Sequence, residues 1–169
     1  MLQYNLTPGA DGTSGGDAAT TMIARYVNTV PPSVIDFQYM SFDLSSITAK
    51  EVIVKIELRL DELTYTATKG LSKIFSIWHY DNPTPGTTIT VLLSSIVWAA
   101  GATYHDITTV GLTVFTKDAN NEIRIYVPDP GDTNTRVMTG YTTEYATEGS
   151  RPQLRVTTTI GRVYIIEAG

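Results

Sequence analysis

The 169-residue chain contains no cysteine. This absence excludes a disulfide framework, a thiolate metal site and a cysteine nucleophile, and it leaves the redox compartment open. Histidine is scarce as well, because His79 and His105 are the two imidazoles of the whole sequence. Neither stands in a His-Glu-x-x-His spacing, and two histidines cannot supply a three-histidine zinc site.

Long apolar runs are also missing. No segment approaches the roughly 20 apolar residues that a membrane-spanning helix needs. The amino terminus, Met1 to Gly9, has no basic region followed by an apolar core, so it does not look like a secretory signal. We therefore expect no membrane partner. We expect the protein in the virion if its gene is phage-borne, and otherwise outside the cell after removal of a signal that this sequence does not contain.

Basic side chains are outnumbered by acidic ones, 12 against 17, which gives a net charge of -5. A negative protein is repelled by a phosphate backbone, so nucleic acid is not expected as a partner. The composition, 42% hydrophobic and 17% charged, is that of a globular protein, and 169 residues are close to the usual size of one domain. We predict a single domain over residues 1–169.

Strict alternation of apolar and charged residues predicts the clearest strand, from Val52 to Leu60. Its charged face carries Lys55, Glu57 and Arg59, and its apolar face carries Val52, Val54, Ile56, Leu58 and Leu60. The same period of two predicts three further half-buried strands, around Ile123, Ile125 and Val127, around Leu154 and Val156, and around Val163 and Ile165.

Clusters of turn-forming residues separate these strands, at residues 81–86, 117–121 and 128–134. Their spacing is typical of β-sandwiches rather than of βαβ units. No segment shows a helical period over three turns, and residues 92–100 fit a short helix, a strand or a turn. The sequence therefore predicts an all-β fold built as a single antiparallel β-sandwich.

Two segments stand out for their motifs, Met40-Ser-Phe-Asp-Leu-Ser-Ser-Ile with the strand after it, and Ser150-Arg-Pro-Gln-Leu-Arg-Val-Thr-Thr. With them the chain resembles the DNRLRE domains, a jelly-roll-like group that overlaps one family of carbohydrate-binding modules. In that family a Phe-Asp-Leu-Ser strand end leads into an Ala-x-Leu-x-Leu strand, and the domain closes with Arg-Pro-x-Leu-x-Val-Thr. Here Ile56-Glu-Leu-Arg-Leu and the run from Arg151 occupy those places.

The resemblance covers about residues 5–159, and it implies a jelly-roll sandwich that binds a polysaccharide. Two features differ from the family. The usual Trp-rich stretch is reduced to the surroundings of Trp78 and Trp98, and residues 160–169 form a C-terminal strand extension beyond the last family strand. An added strand with an unpaired edge is available for pairing with a neighbour.

Acidic residues do not form a recognisable catalytic pair. Asp commonly bonds the local backbone at strand ends and in turns, and we assign solvated or capping roles to Asp43, Asp61, Glu62, Asp81 and Asp106. No Gly-x-Ser-x-Gly elbow supports a serine nucleophile. His79 is interpreted as an exposed or core-satisfied histidine. We therefore expect that the protein is not an enzyme.

Calcium is the one cofactor that the sequence suggests. Asp11, Asp17 and Asp43 would supply the hard oxygen ligands that this ion prefers if the first loop folds back onto the sandwich. The alternative is that the Gly- and Asp-rich residues form turns without an ion.

Aromatic and arginine side chains are the candidates for ligand binding, because rings stack on sugars and arginine binds uronate carboxylates through two parallel hydrogen bonds. We predict an exposed ligand-binding set of five residues, namely Arg124, Tyr126, Arg136, Tyr141 and Tyr145. Four other aromatic residues are assigned mainly to core packing, namely Phe37, Phe42, Phe75 and Trp78.

Two functions are compatible with these features. The first is a non-enzymatic structural protein, a virion decoration, cement or fibre component that docks on a protein lattice or forms a homo-oligomer. The alternative is a carbohydrate-binding module for a polysaccharide, including an acidic one. Docking through residues 160–169 would be expected only in the first case.

Overall fold

Period-two alternation produces strands throughout the computed structural model, which describes residues 1–14, 20–28, 34–80, 89–117, 120–131 and 133–160. Seven strands form one sheet: β1 (Leu2–Leu6), β3 (Thr21–Val27), β4 (Val34–Asp36), β6 (Glu51–Ala67), β9 (Gly101–Asp106), β11 (Thr135–Tyr141) and β12 (Gln153–Ile160). Five form the other: β2 (Ala10–Thr13), β5 (Gln38–Asp43), β7 (Ile74–Tyr80), β8 (Ile89–Val97) and β10 (Asn120–Tyr126).

Both sheets are antiparallel, and their inner faces share one core, so the predicted β-sandwich is confirmed. The five-stranded sheet has the order β2-β5-β10-β7-β8. The jelly-roll connectivity stays a prediction. A helix of seven residues, α1 (Thr108–Val114), and a 3-10 turn at Glu148–Ser150 interrupt the strands. Among the described residues no helix has the length and apolarity needed to cross a membrane.

Strand β6 is the longest strand described and pairs with three others. Glu57 pairs with both β12 and β9, and Glu62 pairs with both β11 and β9. A strand residue with two partners has one on each side. Strand β9 therefore lies along one side of β6, while β12 and β11 follow one another along the opposite side.

A β-bulge in β6 corrects one prediction. Lys55 and Ile53 pair with consecutive residues of β12, so Val54 is an extra residue, and an extra residue reverses which side chains face the core. Beyond the bulge the prediction is confirmed, because Ile56, Leu58 and Leu60 are buried. Val52 and Val54 are exposed to 54% and 39%, so their assignment to the buried face was wrong.

The core contains the other apolar positions that alternation predicted. Its buried members include Ile123, Ile125, Val127, Leu154 and Val156. Of residues 92–100, which fitted a short helix, a strand or a turn, residues 92–97 lie in strand β8 and the last three follow it. The predicted strand around Val163 and Ile165, and nearly all of the predicted extension 160–169, lie outside the described residues. Ile160, the last residue described, ends β12 and is exposed.

Candidate ligand-binding site

The outer face of the five-stranded sheet brings together aromatic side chains from three separate segments. Alternation in β10 buries Ile123 and Ile125, so Arg124 and Tyr126 point outward. In β7 the same alternation turns Trp78 and Tyr80 outward, and Trp78 is the register partner of Arg124. The outward direction of Arg124 and Tyr126 is as predicted, but both side chains are partly buried rather than exposed.

Phe37, between β4 and β5, completes this cluster, which we call the aromatic face (Phe37, Trp78, Tyr80, Arg124 and Tyr126). The ring of Tyr126 lies 5.1 Å from that of Phe37 and 5.5 Å from that of Trp78, centroid to centroid. The guanidinium of Arg124 lies 3.5 Å from the ring centroid of Tyr80 and 4.3 Å from that of Phe37. These are the distances of aromatic and cation–π contacts.

Arg124 is held in place by charge as well as by stacking. Its Nε donates a hydrogen bond of 2.5 Å to Oε1 of Glu122, two residues earlier on the same face. Burial disfavours the charged guanidinium, but hydrogen bonds to Tyr126 and Glu122 outweigh it and raise the pKa of Arg124 above its usual value. The side chain is 16% exposed, so most of Arg124 packs against the neighbouring rings and little of it is in contact with solvent.

A pocket of about 350 Å³ opens beside the aromatic face. Trp78 and Tyr126 form one part of its wall, and Tyr26, Ile35, Ile89 and Pro128 line the rest with Ser76 and Val127. This volume falls in the range of small-molecule sites, which are mostly apolar with a few polar groups. A ring face beside a pocket is suited to hold the apolar face of a sugar unit.

The other predicted binding tyrosines lie at and just after the end of β11, in the opposite sheet. Tyr141 is an outward residue of β11, and its ring stacks on Tyr145 with centroids 3.7 Å apart. A hydrogen bond with Tyr145 raises the pKa of Tyr141. This pair therefore does not extend the aromatic face, and the predicted five-residue set is not one site.

Arg136 is buried, and its prediction as an exposed residue was wrong. Its guanidinium donates to the main-chain carbonyls of Pro128 at 3.0 Å, Asp129 at 2.7 Å and Ser72 at 3.4 Å. Alternation places Arg136 on the inner face of β11, at the end of the sandwich, where these carbonyls need donors.

The predicted calcium ligands do not converge in the described part of the chain. Asp11 accepts hydrogen bonds from the main-chain N–H and the hydroxyl of Thr143, and Asp43 accepts from the N–H and hydroxyl of Ser45, which lowers the pKa of Asp43. No group of three or more metal-binding side chains occurs within the described ranges. Asp17 lies outside them, so calcium at this loop stays a prediction.

Two glutamates of β6 face the interior, and neither was assigned to the interior from the sequence. Both carboxylate oxygens of Glu62 are buried, and neither accepts a well-formed hydrogen bond from the described residues. Burial raises the pKa of Glu62 to about 8. The amide of Gln38 opposes this rise and the charge of Asp61 adds to it. Glu62 was expected in a solvated or capping role, which was wrong because the alternation that buries Ile56, Leu58 and Leu60 continues to Glu62.

Glu51 is the opposite case, a buried carboxylate with many donors. The hydroxyls of Thr158, Tyr4 and Thr48 and the N–H of Thr48 all donate to it. These bonds, led by that of Thr158, lower the pKa of Glu51 to about 2. Glu51 thereby joins β1, β12 and the loop before β6. We assign it a structural role.

His79 is buried, which agrees with its interpretation as a core-satisfied histidine and not with that as an exposed one. Its Nε2 lies 3.3 Å from Oδ1 of Asn121, and its ring packs on Phe115 with centroids 4.8 Å apart. It is therefore separated from the aromatic face, although Trp78 and Tyr80 flank it in sequence.

No protein-family model matches the chain, and no curated protein matches it significantly. The resemblance to the DNRLRE domains therefore stays a prediction.

Proposed function

We propose that the protein is a non-enzymatic binding domain that holds a saccharide on its aromatic face. The observation that supports this most is the contact of Tyr126 with both Phe37 and Trp78 next to the pocket. Half-buried rings fixed by their neighbours offer contact area at little cost in conformational entropy.

Affinity electrophoresis through soluble polysaccharides, with calcium and again with a chelator, tests this function. We expect one class of polymer to retard the protein, and Trp78→Ala to remove the retardation. Tyr104→Ala is the matched control, because Tyr104 is a partly exposed aromatic residue of the other sheet that stacks under Arg155. Equal retardation of both variants and the parent would contradict the proposal.

A second candidate function is docking on a larger protein assembly such as a virion, as a decoration, cement or fibre component. It is favoured by exposed apolar side chains on β4 and β8, which end the strand orders of the two sheets. Val34 and Ile35 of β4 and Ile89 of β8 are all at least 40% exposed. Open edges with apolar residues are templates for strand pairing.

Light scattering after size exclusion distinguishes this second candidate. Self-association that rises with concentration and is lost in Ile35→Lys would support docking through β4. A monomer at every concentration, retarded by a polysaccharide, would favour the saccharide-binding function instead.

A further inference from the structure

We infer that the ligand of the aromatic face is an uncharged saccharide chain rather than an acidic one. This inference rests on the proposed function and narrows its substrate class. Four charged groups bear on it: Arg124, Glu122, Asp129 and Arg136.

Arg124 already has a carboxylate partner, and its guanidinium is packed against two rings. Such binding uses two N–H groups on one edge of the guanidinium. The Nε of Arg124 already donates to Glu122, and the planar group lies against the rings of Tyr80 and Phe37. A uronate would have to compete with Glu122 or bind the N–H groups that Glu122 leaves, on a side chain that is 16% exposed and whose charge Glu122 already matches.

The pocket side of the face carries negative charge. Tyr26, which lines the pocket, donates a hydrogen bond of 3.2 Å to Oδ2 of Asp129. The other oxygen of Asp129 accepts from the N–H of Gly131, which fixes the carboxylate beside Pro128. The nearby cation, Arg136, is engaged as well, because its buried guanidinium donates to the main-chain carbonyls of Pro128 and Asp129.

The remaining pocket wall is mostly apolar or aromatic. Ile35 and Ile89 supply contact area, and the donors that the wall offers, the hydroxyl of Ser76 and the indole N–H of Trp78, are neutral and would only partly repay the desolvation of a carboxylate. Burying an anion here would cost free energy and would also meet repulsion from Asp129. A neutral sugar ring loses little hydration when its apolar face stacks on Trp78 or Tyr126.

The test uses pairs of polymers that share a backbone and differ in charge. Hydroxyethyl and carboxymethyl derivatives of one glucan, one xylan and one mannan serve as probes for the full-length chain. We expect one hydroxyethyl polymer to bind at least about tenfold more tightly than its carboxymethyl counterpart. The Kd should change by less than about twofold between about 50 and about 500 mM NaCl, because no ion pair forms on binding.

Glu122→Gln provides an independent readout that a structural role alone would not give. The variant keeps the shape of the side chain but frees the charge of Arg124. We expect it to gain affinity for the carboxymethyl polymer, and this gain should disappear in high salt. Glu144→Gln is the control. It removes one negative charge at an exposed residue outside the aromatic face, and it should leave the polymer preference unchanged.

The outcomes separate the inference from the function on which it rests. Tighter, salt-sensitive binding of a carboxymethyl polymer by the parent protein would overturn the inference and keep the saccharide-binding function. Retardation by no polymer in either form, from protein with a normal cooperative melt, would overturn the proposed function itself. Binding that Trp78→Ala leaves intact would place the ligand elsewhere and overturn both.

Discussion

Stability should fall as the pH rises from 4.5 to 8, because Glu62 is buried on the inner face of β6. The carboxyl group has a pKa of about 8 in the folded protein, against 4.5 for an exposed glutamate. A group whose pKa is raised by folding stabilises the fold fully below the unfolded value and loses that contribution as the pH approaches the folded value. Between these values the folded chain binds more protons than the unfolded chain.

The magnitude follows from this window. The free energy of unfolding should fall by about 1.4 kcal/mol for each pH unit, which totals about 5 kcal/mol at most from pH 4.5 to 8. This is a large part of the roughly 5–15 kcal/mol that stabilises an ordinary domain. Above pH 8 and below pH 4.5, Glu62 should contribute no further slope.

Urea denaturation of the parent and of Glu62→Gln, repeated at pH 4.5, 6, 7, 8 and 9, measures the effect. Glutamine stays neutral, so the variant should lack this slope and be the more stable protein at pH 8 and above. Glu144→Gln changes an exposed glutamate and should follow the parent. Parallel curves for the parent and Glu62→Gln would refute the assignment of a buried, protonated carboxyl group.

Three further predictions concern the same interior. Gly140→Ala should destabilise the fold by about 1–3 kcal/mol, because its Cβ would lie 3.0 Å from Oε2 of Glu62. In a double-mutant cycle, the same substitution made in Glu62→Ala should cost much less, because the crowding carboxylate is gone. Glu51→Gln should lower the stability of the fold above pH 4.5. It should also remove the loss of stability that the parent protein shows as the pH falls from 4.5 towards 2, which an acid titration followed by circular dichroism measures. Arg136→Lys should lower the free energy of unfolding by about 1–3 kcal/mol, measured by thermal melting, because an ammonium cannot reach the carbonyls of both Pro128 and Ser72. An unchanged melting temperature would show that these hydrogen bonds are dispensable.

The aromatic face could be predicted only in part from the sequence. Alternation in β10 correctly turned Arg124 and Tyr126 outward, because that pattern depends on neighbouring residues of one strand. The same reasoning applied to Ser76-Ile-Trp-His-Tyr would have placed Trp78 outward, since Ile77 is buried. Assigning Trp78 to the core by its size, rather than by its position in the strand, was the error.

The sequence by itself determined the sandwich, because alternating apolar residues and turn clusters are local features that no distant contact needs to supply. The tertiary structure decided where alternation breaks. The bulge at Val54 depends on the partner β12, and it turns Val52 outward. The pairing of β6 with β11 places Glu62 against Gly140. It also decided which side chains meet, since contact between segments as distant as Phe37 and Tyr126 is set by strand order and register, which a local pattern does not encode.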